Sequence, residues 1–102
     1  MTAGRTAYFA GFHAAQALIS HHTNRSVKTH RGVSAELHRL IQNDARFDEE
    51  LRAFLGRGYQ LKAIADYETG PDSHVTPEQA QAAITGARRF VAAIAGIVDG
   101  RP

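Results

Sequence analysis

A lysine, an aspartate and a tyrosine stand close together in the stretch LKAIADYE, residues 61–68. Lys62 and Asp66 are four residues apart, so a helix would place them on one face, with Tyr67 next to Asp66. A cation, a carboxylate and a phenol could together hold a phosphate group and move a proton. The same residues could instead form a recognition surface, or only an ion pair worth about 0.3–0.5 kcal/mol.

The orientation of this group favours a site or an interface over simple stabilisation. Lysine precedes the acid, which is the weaker order for a helical ion pair. Asp66 and Glu68 also fall in the last turn of the expected helix, where the helix dipole disfavours negative charge. Residues placed against local rules are expected at functional positions.

Other histidines and tyrosines are further candidates. His13 lies on an otherwise apolar segment, where a lone histidine is most often a hydrogen-bonded core residue and otherwise a cleft residue. Tyr8 and Tyr67 should pack with their hydroxyl groups bonded to a partner. Tyr59 shares a helical stripe with Lys62 and is a candidate binding residue. No two histidines have the i, i+4 spacing of a helical zinc site, so we expect neither metal nor cofactor.

Charge is unevenly distributed, although the formal net charge is only +2. Residues 21–46 contain five Arg or Lys against two acids, whereas the charged residues of 66–78 are all acidic. The basic segment predicts either a solvated face or a strip that contacts phosphate groups. Its candidate binding residues are Arg25, Lys28 and Arg31, and His30 among them is a candidate catalytic residue.

Composition predicts the scaffold that positions these residues. A chain of 102 residues suits one domain, residues 1–102, and its many alanines and few β-branched runs favour an all-α fold. There is no cysteine, and the start lacks the order of a signal peptide or the length of a membrane span. We therefore expect a cytoplasmic protein without a membrane partner.

Four helices are predicted, at about residues 2–21, 30–42, 49–68 and from 77 onward. Asp48 is the expected N-cap of the third helix, which should end at Gly70 and Pro71. Thr76, Pro77 and Gln79 predict a capping box for the last helix. The buried seam of the last helix is predicted as Ala80, Ile84, Ala87, Val91, Ile94 and Val98.

Three stretches, RTAYFAGFHAAQALI, KTHRGV and YQLKAIADYE, resemble in this order the small bacterial and archaeal HEPN-domain family. Arg5, Tyr8, Phe9 and His13 stand in the first motif, and Lys62, Asp66 and Tyr67 in the third. The resemblance covers nearly the whole chain.

The resemblance implies an up-and-down antiparallel bundle, usually a homodimer, that works with a small nucleotidyltransferase in a toxin–antitoxin pair. Many relatives are metal-independent ribonucleases with an Arg and His motif on the helix that matches residues 49–68. Here Lys62 replaces the arginine and Asp66 stands near the position of the histidine. The chain also lacks the amphipathic helix that precedes the first motif in the family, so we expect either a misplaced start or a partner chain that covers the exposed side of the first helix.

Three functions follow as expectations. The first is a helical homodimer that binds a nucleotidyltransferase or RNA with weak or no catalysis, in which Tyr67 would be an accessible acceptor for nucleotide transfer. The second is a metal-independent endoribonuclease toxin that uses Lys62, Asp66 and Tyr67, with His13 or His30 assisting. The third is a dimerisation domain without a ligand. A lysine lacks the planar fork that arginine offers to phosphate, and an aspartate titrates far from neutrality, so the binding role is favoured.

Overall fold

The structure, a computed structural model, describes the backbone of residues 3–67 and 76–99 and the side chains of residues 5–63 and 76–99. These residues form four α-helices and no strand, which confirms the all-α bundle. The predicted helix stop at Gly70 and Pro71 lies outside the described residues. No helix in the described ranges has the length and apolar character needed to cross a bilayer. The helices are α1 (Ala3–Thr23), α2 (His30–Ile41), α3 (Glu49–Tyr67) and α4 (Pro77–Val98).

Side-chain caps fix three helix starts. Thr76 and Gln79 form the predicted capping box, with Pro77 in the first turn of α4. Asp48 accepts a hydrogen bond from the Leu51 amide at 2.9 Å, as expected of the N-cap of α3. The side chain of Thr29 accepts from the Gly32 amide at the start of α2.

The first helix ends two residues later than predicted. It continues to Thr23, and the next residue, Asn24, takes a left-handed conformation with φ of 56°. The Asn24 amide donates to the Ser20 carbonyl at 2.9 Å, and the Thr23 hydroxyl donates to the Ile19 carbonyl. Asparagine tolerates this conformation better than most residues, so it ends the helix where glycine commonly would.

The chain returns along α1 before α2 begins. Gln16 donates a hydrogen bond to the carbonyl of Val27 at 2.8 Å, and His30 lies against Tyr8. The segment between α1 and α2 therefore runs from the end of α1 back towards its start. Gly11 lies against Phe54 and the earlier Tyr8 against the later Gly58, so α3 is antiparallel to α1.

Helix α1 lies at the centre of the bundle and packs against each of the other three helices. This agrees with its sequence, which is apolar on nearly all sides. Burying these side chains is the main stabilising contribution, at roughly 1.5–3 kcal/mol for each fully buried large apolar residue. The most deeply buried large side chains are Leu18, Ile19, Val33, Leu37, Ile41 and Phe90.

The buried face of α4 differs from the predicted seam by one residue. Ala87 and Ile94 are buried as expected, but Phe90 is fully buried whereas Val91 is 36% exposed. Phe90 stacks on Phe54 of α3 with ring centroids 4.8 Å apart. The alternation of four and three residues fits either position, and the larger ring takes the place between the helices because it removes more apolar surface from water.

Glycines allow α1 and α3 to approach closely. A Cβ atom at Gly11 would overlap the ring of Phe54, and one at Gly58 would lie 3.2 Å from Cδ1 of Tyr8. Gly58 therefore marks a close approach of α1 to α3. A Cβ atom at Gly56 would meet no other atom within 4 Å, so the place of this glycine in α3 has no packing reason.

Candidate functional site

Three rings from three helices meet at one end of the bundle, namely those of Tyr8, His30 and Tyr59. The Tyr8 hydroxyl and Nδ1 of His30 are 2.7 Å apart. The ring of Tyr59 stacks on His30 with centroids 4.1 Å apart and an interplanar angle of 23°, and it meets Tyr8 edge to face at 5.8 Å. We call these three residues the Tyr–His cluster. Tyr8 is 2% exposed, whereas Tyr59 is 44% exposed, so the cluster has a buried side and a solvent side.

Local structure explains why His30 lies in this position. The hydrogen bond from Gln16 to the Val27 carbonyl holds the returning loop against α1. Thr29 caps α2, so His30 is the first residue of that helix and its ring projects beside Tyr8. Gly58 leaves room for the ring of Tyr8 against α3. The position of the cluster thus depends on the hydrogen bond from Gln16, the N-cap Thr29 and the space left by Gly58.

Burial sets the protonation state of the cluster. Burial, assisted by the neighbouring Tyr59, raises the pKa of Tyr8 to about 12. Burial also holds the pKa of His30 below its ordinary value of 6.5. At neutral pH both groups are therefore uncharged.

The direction of the hydrogen bond between Tyr8 and His30 is assigned from the chemistry of its two groups, because the 2.7 Å distance fits either tautomer of His30. A phenol that keeps its proton donates more readily than it accepts, and an imidazole nitrogen is a good acceptor, so the Tyr8 hydroxyl donates to Nδ1. The hydrogen of neutral His30 then resides on Nε2. His30 consequently offers a hydrogen-bond donor to anything that approaches Nε2, and it does not offer a lone pair there.

Lys62 lies beside this cluster, as its place in the Tyr59 stripe predicted. Its Nζ atom is 5.9 Å from the centroid of Tyr59 and 5.7 Å from that of Phe9. The guanidinium carbon of Arg5 is also 5.7 Å from the Phe9 ring. Two cations within cation–π distance of one ring give this surface a positive character. Phe9 was named in the first motif but not as a candidate site residue, so its contribution to this surface was missed from sequence.

His13 is exposed, so its expected place in the core is wrong. Its Nδ1 atom is 3.1 Å from the side-chain oxygen of Gln16 on the next turn of α1. Its ring lies 6.2 Å from that of Phe9, centroid to centroid, so it borders the cation-bearing ring from the outer side of α1. The alternative interpretation, a cleft residue, stays a prediction.

The basic segment divides into paired and unpaired cations. Arg39 pairs with Glu36 at 2.7 Å, and Arg46 pairs with Asp44 at 2.8 Å. Each arginine lowers the pKa of its carboxylate partner through a side-chain hydrogen bond. The remaining three cations, Arg25, Lys28 and Arg31, are exposed and make no ion pair within the described part of the chain. Lys28 and Arg31 lie on either side of His30, the first residue of α2.

The backbone of Asp66 and Tyr67 belongs to α3, but their side chains lie outside the described residues. The Lys62 and Asp66 pair therefore stays a prediction, as does the role of Tyr67. Of the residues predicted for the site, the structure brings together Tyr8, His30, Tyr59 and Lys62. The pairing of Tyr8 with His30 had no sequence signal, because 22 residues separate them and a loop without regular structure sets their approach.

Among the described residues, no three His, Cys, Asp or Glu side chains lie close enough to hold a metal ion. Comparison with protein-family models, curated proteins and solved structures finds no match to this chain.

Proposed function

We propose that this chain is a HEPN-type helical module that binds unpaired RNA through the Tyr–His cluster and the cations around it. The observation that carries the proposal is the stacked pair of His30 and half-exposed Tyr59, with Lys62 near the ring. Proteins bind single-stranded RNA by stacking bases on aromatic side chains within a positively charged surface. The resemblance of the sequence motifs to the HEPN family also supports a role in RNA binding.

Two further features suit an RNA backbone. The Nε2 hydrogen of His30 is a donor for a phosphate or base oxygen. Lys28 and Arg31 are exposed beside it, at the positive end of the α2 dipole, where the first turn contains no acidic residue. A strand stacked on Tyr59 would therefore meet several donors and no carboxylate from the start of α2.

Binding of a labelled single-stranded RNA of about a dozen nucleotides, measured by fluorescence anisotropy at low salt, tests the proposal. Tyr59→Leu should weaken binding about tenfold, since one aromatic stack is worth roughly 1–3 kcal/mol. Tyr59→Phe keeps the ring and should bind like the parent chain. Lys62→Gln should reduce the salt dependence of binding, whereas Arg88→Gln, at an exposed site on α4, should leave the salt slope nearer that of the parent.

The proposal fails if Tyr59→Leu and Tyr59→Phe bind alike, or if single-stranded RNA does not bind at low salt. Equal binding of duplex and single strand would also contradict it, because paired bases cannot stack on a side chain.

A second candidate function is the metal-independent endoribonuclease. It is favoured by one observation, that His30 and Lys62 contact the same ring, that of Tyr59. Cleavage needs a base for the 2′-hydroxyl, an acid for the leaving oxygen and a cation for the phosphorane. In its protonated form, which the lowered pKa makes the minor form at neutral pH, His30 would serve as the acid through Nε2 and Lys62 as the cation, and Asp66 or His13 would have to be the base. RNA cleavage that persists with a chelator and is lost in both His30→Ala and Lys62→Ala would support this function.

We also propose that the chain forms a homodimer and binds a nucleotidyltransferase, as the resemblance to the HEPN family implies. Light scattering coupled to size exclusion gives the mass of the particle, and a mass of one chain at micromolar concentration would refute the dimer. Intact-mass analysis after incubation with the adjacent gene product and ATP would reveal a nucleotide on Tyr67, and an unchanged mass would exclude that transfer.

A further inference from the structure

A groove of about 590 Å³ lies between α3 and α4, and Tyr8 of the Tyr–His cluster is one of its lining residues. Its floor is apolar and includes Phe54 and Ala7, and its walls include Gly58 and Leu61 of α3 and Ala83 of α4. The volume lies within the range of pockets that bind small molecules. The groove exists because α4 lines it mainly with alanine and glycine, whose side chains are too small to fill the space between the two helices.

An unpaired cation at the rim favours an anionic group at that point. The described lining has one acid, Glu50, whose oxygen is 3.2 Å from the guanidinium of Arg89, and Arg89 also pairs with Asp48 at 2.7 Å. Arg57 and Gln60 stand three residues apart on the α3 wall, so they are neighbours on the helix surface. Neither makes a hydrogen bond or an ion pair within the described ranges, so both can donate to a ligand. Gln79 is already engaged, because its side-chain oxygen accepts from the Thr76 amide.

The described part of the groove is shorter than a docked helix of ordinary length. Its apolar part on α3 extends from Phe54 to Leu61, which is about 10 Å at 1.5 Å per residue. The ion pair between Arg89 and Glu50 lies at one end of it. A flat ring system fits this length, and a carboxylate attached to it would reach the donors of Arg57 and Gln60.

We propose that this groove is a binding site for a small aromatic carboxylate, with its ring between α3 and α4 and its carboxylate at Arg57. The groove shares Tyr8 with the Tyr–His cluster, but the ligand is held by Arg57 and the apolar floor, so this proposal does not depend on RNA binding. Arg57 supplies charge and orientation, and the apolar floor supplies most of the affinity.

Titration of the full chain with 2-naphthoate, followed by amide chemical shifts, tests the site. A ligand of about 13 heavy atoms at ordinary efficiency should bind with a Kd of roughly 1 mM or tighter. The largest shifts should fall on Gly58, Ala83 and Gly86. The matched neutral amide, 2-naphthamide, should bind about three- to fivefold more weakly, because it lacks the charge that meets Arg57.

Two variants and their controls locate the ligand. Arg57→Gln should bind the acid no better than the amide, while Arg88→Gln, outside the groove, should keep the preference. Ala83→Leu fills the groove and should abolish binding of both compounds, whereas Ala92→Leu adds the same volume on the exposed side of α4 and should bind normally. Thermal unfolding of each variant confirms that it is folded.

Several results would overturn the proposal. These are the absence of chemical-shift changes at 2-naphthoate concentrations up to 10-fold above the expected Kd, equal affinity for 2-naphthoate and 2-naphthamide, unchanged binding in Ala83→Leu, or chemical-shift changes centred on Tyr59 and His30. A particle mass that rises with protein concentration while the same groove amides shift would show that a second chain occupies the groove instead.

Discussion

Replacing Gly11 by alanine should destabilise the bundle, because a methyl group at this position would overlap the ring of Phe54. That ring cannot move aside easily. It stacks on the fully buried Phe90, and Gly86 of α4 lies so close that a Cβ atom there would be 3.4 Å from it. The methyl group would have to push α1 and α3 apart or displace a stacked pair of core rings.

The magnitude follows from two opposing effects. Overfilling a packed core costs about 1–3 kcal/mol, while replacing glycine by alanine inside a helix gains about 1 kcal/mol. We therefore expect Gly11→Ala to lose up to about 2 kcal/mol of unfolding free energy. Gly56→Ala is the matched control, since that glycine also lies within a helix but has open space around it. It should gain about 0.5–1 kcal/mol.

Urea denaturation monitored by circular dichroism measures both changes. For a domain of this size each kcal/mol moves the melting temperature by roughly 4–8 °C, so thermal melts should separate the two variants clearly. If Gly11→Ala proved as stable as Gly56→Ala, α1 and α3 would not be in close contact at this position, and the placement of Tyr8 beside Gly58 would lose its support.

Three other predictions follow from the packing and the charges. Phe90→Ala should lose about 3–5 kcal/mol and Val91→Ala less than about 1 kcal/mol in urea denaturation, and the reverse order would restore the seam predicted from sequence. The folded-state pKa of His30 is lowered, so the unfolded chain binds more protons than the folded chain just below pH 6.5. The free energy of unfolding should therefore fall as the pH drops from 6.5 to the folded-state pKa, and then level off. An NMR titration that gives His30 a pKa of 6.5 or above would contradict this prediction. Arg89 lowers the pKa of Asp48 through a side-chain hydrogen bond. Arg89→Gln should therefore raise the pKa of Asp48 towards its ordinary value of 3.8 in a carboxyl NMR titration. An unchanged pKa would show that the hydrogen bond from the Leu51 amide alone keeps the pKa of Asp48 low.

Local signals in the sequence were sufficient for most of the scaffold. The capping box of α4 consists of neighbouring residues, Thr76 to Gln79, whose preferences do not depend on the rest of the fold. The N-cap at Asp48 was likewise predictable from residue type and position. Each of these rests on the backbone chemistry of one short segment.

Features that depend on contacts between distant segments could not be predicted. The choice between Phe90 and Val91 depends on which ring of α3 faces α4, and periodicity alone permits both. His30 was a candidate because of its basic surroundings, but its contact with Tyr8 depends on a loop that returns along α1 and is held by Gln16. The exposed position of His13 has the same origin, since only the arrangement of the neighbouring helices decides which side of α1 is covered.

The rings that meet around His30 also give the molecule an optical property. The chain contains three tyrosines and no tryptophan, so its ultraviolet emission comes from tyrosine alone. Two of the three tyrosines contact one imidazole, and a charged imidazole quenches phenol emission more strongly than a neutral one. A decrease of the native fluorescence on acidification would therefore report the protonation of His30. Binding of a molecule to that surface would change the same emission, so no added dye is needed to detect it.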